Sequence, residues 1–130
     1  MNVVYEFLLA IIIFIIANLF WTSFLSKKIY KKEQIKLLKS KPDFIPLTIL
    51  HIIYIIGLVF FVLNPSITTN SLDFALIGGF LFGFITYSTY DLTNLATLKD
   101  WRCYMTIIDI FWGSILTGIV SLIVFTVFTH

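Results

Sequence analysis

Apolar residues run almost unbroken through four stretches, 3–24, 46–63, 72–95 and 104–128, and the charged residues gather mainly in the connections between them. Crossing the ~30 Å hydrocarbon core of a bilayer takes ~20 residues of helix, and the four stretches are of that order. Continuous apolar runs predict helices, because a membrane barrel would alternate apolar and polar residues in segments of about ten. The pattern therefore predicts an all-α fold, an integral membrane four-helix bundle forming one domain over residues 1–130. The third and fourth stretches are long enough to tilt or to project beyond the bilayer. The first carries Glu6, has no basic residue before it and ends in Phe20-Trp21-Thr22 rather than at a small-residue cleavage site, so it is expected to be retained.

Composition agrees: 59% hydrophobic residues and a mean hydropathy of +1.00 exclude a soluble domain of this length. Cys103 is the only cysteine, so no intrachain disulfide can form.

Charge then orients the spans. Loop 25–45 holds Lys27, Lys28, Lys31, Lys32, Lys36, Lys39 and Lys41, against only Glu33 and Asp43. The connection around Asn64 to Ser71 has no basic residue, whereas Lys99 and Arg102 lie between the last two spans. By the positive-inside rule the first and third connections are cytoplasmic and both termini lie outside, in the inner or plasma membrane. The basic loop suits contact with anionic lipid headgroups, and the charge needs no nucleic acid to explain it. Ile29, Tyr30, Leu37 and Leu38 recur in that loop at roughly helical spacing, so it is either a solvated loop or, in part, a short helix on the membrane surface.

This orientation brings polar groups from all four spans to the cytoplasmic half. Tyr87, Tyr90, Asp91 and Asn94 fall at i, i+3, i+4 and i+7, one face of the third helix. Asn18 and Trp21 come late in the first span, His51 and Tyr54 early in the second, and Asp109 and Trp112 early in the fourth. On the outer side Glu6 and Asp73 are expected near helix ends, where water is available. The words Asn18-Leu19-Phe20-Trp21-Thr22-Ser23-Phe24 and Asp109-Ile110-Phe111-Trp112-Gly113-Ser114-Ile115 match in type, and in antiparallel helices they land at one depth, like two sides of a clamp.

Each polar group also has a packing explanation. Asn18 and Asn94 could bond between helices at ~0.6 kcal/mol each. Trp21, Trp112 and Tyr54, Tyr87 and Tyr90 could be interfacial anchors. His51 has neither a second histidine nearby nor a metal-ligand spacing, so no metal site is expected. Asp91 and Asp109 are harder to dismiss, since a carboxylate at this depth costs a few kcal/mol. Either they meet water, Lys99 or Arg102, or they face each other and share a proton. Ala75, Gly79 and Gly83, and Ser114 and Gly118, have small-xxx-small spacing, which permits close helix packing within the chain or in a homo-oligomer.

The block from Tyr87 to Lys99, with Trp101 and Asp109-Ile110-Phe111-Trp112-Gly113, resembles the signature of a family of small prokaryotic four-helix membrane proteins of unknown function. Trp21, Tyr30, Pro46, Tyr54 and Gly57 extend the resemblance over nearly the whole chain. It implies four spans in the inner membrane and no established activity, catalytic residue or cofactor. Where that family usually has Asp, an aromatic and Pro, this chain has Asn18, His51 and Arg102. Asn18 weakens any scheme needing three carboxylates, and His51 adds a group that titrates near neutral pH.

Three functions fit these residues. One is a cytoplasm-side pocket of Asn18, His51, Tyr54, Tyr87, Tyr90, Asp91, Asn94 and Asp109, walled by Trp21 and Trp112, that binds or transports a small cation or an amphiphile with proton coupling. The second is an intramembrane enzyme acting on a lipid or isoprenoid through Asp91 and Asp109; no nucleophile motif, glycine loop or metal spacing supports it. The third is an accessory subunit or pigment carrier, although bilayer solvation alone accounts for the 14 phenylalanines.

Overall fold

Helices account for nearly all of residues 3–21 and 43–129, the part described by a computed structural model of the chain. Helix α1 spans Val3–Phe20, α2 Phe44–Thr68, α3 Leu72–Thr97 and α4 Cys103–Thr129. All four are long and apolar enough to cross a membrane. Loop 25–45 lies mostly outside the described residues, as do Thr22–Phe24 of the first apolar stretch, so neither the lysines nor a surface helix among them can be placed.

Local sequence sets the helix ends. Asp43 caps α2, its Oδ1 accepting from the Ile45 N–H at 3.2 Å, and Ser71 caps α3, its Oγ accepting from the Phe74 N–H at 3.1 Å. Between them the chain turns in three residues. Asn70 takes the left-handed conformation (φ 52°), the Ser71 N–H reaches the Ser66 carbonyl at 2.9 Å and the Asn70 N–H that of Ile67 at 3.2 Å, a Schellman motif.

The second connection is therefore shorter than the sequence pattern indicates. Asn64-Pro65 reads as a loop, yet α2 continues through it to Thr68. The helix accommodates Pro65 by widening into a π turn over Val59–Leu63, in which the Asn64 N–H reaches back to the Val59 carbonyl. A proline ring inside a regular helix clashes with the carbonyl four residues earlier and leaves it without a donor, and the widened turn moves that carbonyl aside.

α4 is the most buried helix and packs against all three others, most tightly against α3. Small residues make that seam. A Cβ on Gly79 would meet Ser121 and lie 2.9 Å from the Thr117 carbonyl; one on Gly83 would strike the Gly113 carbonyl and lie 2.8 Å from Thr117 Oγ1; one on Gly113 would strike the Tyr87 ring. The small-residue face of α3 is thus used within the chain. Successive turns of the antiparallel pair oppose Gly79 to Ser121, Gly83 to Thr117 and Tyr87 to Gly113. The next turn in the same register opposes Asp91 to Asp109. Ala10 and Phe14 of α1, Ile55, Leu58 and Leu63 of α2, and Leu116, Val120 and Val124 of α4 fill the rest of the core. Outward faces are apolar, as a bilayer solvent requires, with Ile12, Ile53, Phe60, Ile77 and Phe111 all largely exposed.

Candidate functional site

The register of the α3–α4 seam delivers Asp91 to the one place in this helix pair where a second carboxyl waits. Asp91 is fully buried, at 0% exposure. Neither of its oxygens receives a hydrogen bond from any fixed donor. The group that faces it is the half-buried Asp109 carboxyl, at hydrogen-bonding reach. A hydrogen bond between two carboxyl groups needs a proton on one of them, since ionised carboxylates only accept. Among the described residues no side chain donates to Asp91, and Asp109 is the carboxyl set against it.

One turn away stands the clamp. The Trp21 and Trp112 rings stack with centroids 4.5 Å apart and planes 13° from parallel. Trp112 Nε1–H donates to Asn18 Oδ1 at 3.5 Å, and the Tyr87 hydroxyl is also within reach of Asn18. Asn18 and Trp21 of the first sequence word thus meet Trp112 of the second. The indoles, however, occupy each other's faces rather than walling an open space.

Tyr54 belongs to a separate layer, deeper in the bundle. Its hydroxyl lies 2.7 Å from Thr117 Oγ1 and 3.3 Å from Thr86 Oγ1, while its ring packs on Phe14, Phe82 and Tyr87. The eight residues from Asp109 to Thr117 on α4 put this layer ~12 Å from the acid pair. Tyr54→Phe would leave the Thr117 hydroxyl without its side-chain partner, and we expect a loss of about 1 kcal/mol, read as a lower thermal midpoint in detergent.

His51 and Tyr90 do not join the acid pair in this geometry. His51 Nδ1–H donates to the Leu47 carbonyl of its own helix at 2.7 Å, and its ring stands edge-on to Phe14, which is the packing role. Tyr90 is 59% exposed, set edge-on to Trp101 and within reach of Asn94. Asp91 is buried and its neighbour Tyr90 exposed, so the inward part of the stripe narrows to Asp91 with half-buried Tyr87 and Asn94. Among the described residues no group of three or more His, Cys, Asp or Glu could hold a metal ion.

The sequence pattern missed several polar partners. Thr86 and Thr117 carry no charge and look like small packing residues. Ser88, whose buried hydroxyl has no partner, gives no signal at all. Glu6 is the clearest correction: expected near water at a helix end, it is 0% exposed, with Oε2 accepting from Asn64 Nδ2 at 3.4 Å and Oε1 unpartnered. The π turn of α2 carries Asn64 onto α1 and closes over it.

A family described as Predicted membrane protein (DUF2177) matches residues 3–126. The chain belongs to this family. No curated protein and no solved structure matches it. As a DUF2177 member it is a membrane protein with four candidate spans, in keeping with the resemblance carried by the Tyr87–Lys99 block.

Proposed function

We propose that the Asp91–Asp109 pair is a proton-linked binding site for a small monovalent cation at the cytoplasmic end of the bundle. The observation that carries this reading is a buried carboxyl whose two oxygens have no donor and which faces a second carboxyl. Two like charges this close in a low-dielectric setting are strongly unfavourable, and either a shared proton or a bound cation relieves them. One site with two alternative cationic occupants exchanges one for the other. The basic residues of the first and third connections orient this end toward the cytoplasm.

The stacked indoles favour a small cation over an amphiphile, because an amphiphile would have to part Trp21 from Trp112 whereas an ion need only enter between carboxyls. The enzymatic alternative gains, among the described residues, no catalytic side chain beyond the two carboxyls it already invokes.

Vesicles reconstituted with the protein and loaded with a pH-sensitive dye test the reading. External sodium or potassium should enter the lumen in exchange for protons leaving it, and Asp91→Asn should abolish both movements. An unchanged response in that variant would sink the proposal.

A further inference from the structure

Ser88 carries a buried hydroxyl that bonds to nothing. Every other serine and threonine of α3 and α4 has a partner, and most donate to the carbonyl one turn back in their own helix. Thr89 bonds the Ile85 carbonyl at 2.7 Å, Ser114 that of Ile110 at 2.8 Å and Ser121 that of Thr117 at 2.8 Å. This back-bond is open to any serine inside a helix, and a buried hydroxyl left without a partner costs about 1–3 kcal/mol. Ser88 nevertheless forgoes the Phe84 carbonyl.

Its position relates it to the acid pair. Asp91 lies three residues further along α3, which places the two Cβ atoms about 5–6 Å apart on one side of the helix. Helical side chains lean toward the N-terminus, so the Asp91 carboxyl leans over the turn that holds Ser88. On the facing helix, a Cβ on Gly118 would lie 3.5 Å from the Phe80 backbone. Two four-residue steps in the antiparallel register then set Ser88 opposite Ile110, the neighbour of Asp109. Three buried oxygens, Ser88 Oγ and both of Asp91, thus occupy adjacent turns beside Asp109 without bonding one another. A shared proton bridges one pair of carboxyl oxygens and leaves the hydroxyl as it was, whereas a cation is a partner to all of them at once.

We infer that the Ser88 hydroxyl is the third ligand group of the cation bound at the Asp91–Asp109 pair, and that this donor set selects sodium over potassium. The inference rests on the cation–proton reading of the acid pair and names its substrate. Carboxylate and hydroxyl oxygens are hard donors. Attraction to a carboxylate varies as the inverse of distance and is strongest in a low-dielectric site, so the smaller ion gains more from the same two charges. Ser88 ligates through a lone pair and keeps its own proton, standing in for one water of the ion's shell. The proton shared by the carboxyls leaves as sodium enters, and the charge of the site is unchanged.

Proton release from the detergent-solubilised protein, titrated with sodium chloride and with potassium chloride at constant ionic strength, tests this. The wild type should reach half-release at a lower concentration of sodium than of potassium. Ser88→Ala should still release its proton but need about tenfold more sodium, and so lose the preference. Ser88→Cys, close to serine in shape but with a soft sulfur, should behave as Ser88→Ala does. Without added cation neither variant should have a lower thermal midpoint, since no bond is lost. No release from the wild type would remove the cation–proton reading itself. Release that begins at the same sodium concentration in Ser88→Ala as in the wild type would overturn only the role of Ser88. A wild-type titration in Ser88→Cys, or a lowered midpoint in Ser88→Ala, would assign Ser88 to packing and overturn it equally.

Discussion

Gly83→Leu should unfold the bundle or force α3 and α4 apart, while Gly118→Ala should be close to neutral. Both glycines lie on the α3–α4 seam, but they meet different neighbours. A Cβ at Gly83 would run into the Gly113 backbone carbonyl and the Thr117 side chain, and backbone cannot rotate away. A Cβ at Gly118 would sit at 3.5 Å or more from Phe80, ordinary contact. Overpacking costs about 1–3 kcal/mol even where side chains can adjust. Leucine at Gly83 must also displace a helix, so its cost should lie at or above the top of that range. Thermal unfolding of the two variants in one detergent measures the difference. The seam sets the opposition of Asp91 and Asp109, so any Gly83 variant that still folds should also lose cation-dependent proton release. Equal midpoints for the two variants would mean that the helices do not pack in this register.

Asp91→Leu/Asp109→Leu should have the opposite signature, with binding abolished and stability kept or raised. Exchanging a buried charged or polar pair for apolar residues of similar volume is often neutral or stabilising by ~1–4 kcal/mol. Asp91 has no donor to lose, so replacing it orphans no partner. A site retained for function rather than for packing behaves in this way. Marked destabilisation of the double variant would instead assign the carboxyls a structural role.

Much of this was legible in the sequence. Four apolar stretches gave the four helices, because spanning length and continuity follow directly from bilayer thickness. Asp91 and Asp109 stood out because a carboxyl in an apolar helix is costly wherever it sits. Their opposition was implicit in the spacing of Gly79, Gly83, Tyr87 and Asp91 against Asp109, Gly113, Thr117 and Ser121, a four-residue step in each antiparallel helix. That step becomes readable only once the two helices are known to pack on these faces. Three features were out of reach. Glu6 looked solvated because depth along a helix says nothing about which face is covered, and its cover comes from a distant residue, Asn64. Asn64-Pro65 looked like a loop because proline usually ends helices, whereas a π turn lets the helix absorb it. His51 and Tyr90 were grouped with the acids by depth alone; rotation about the helix axis sends His51 to its own backbone and Tyr90 to the surface.

Proton release from detergent-solubilised protein on addition of sodium or potassium tests the shared-proton site most directly. In a weakly buffered solution with a pH indicator, the wild type should release a single proton per chain as the cation displaces it from the Asp91–Asp109 pair, and Asp91→Asn should release none. No release from folded wild-type protein, or release that persists in Asp91→Asn, would contradict the account.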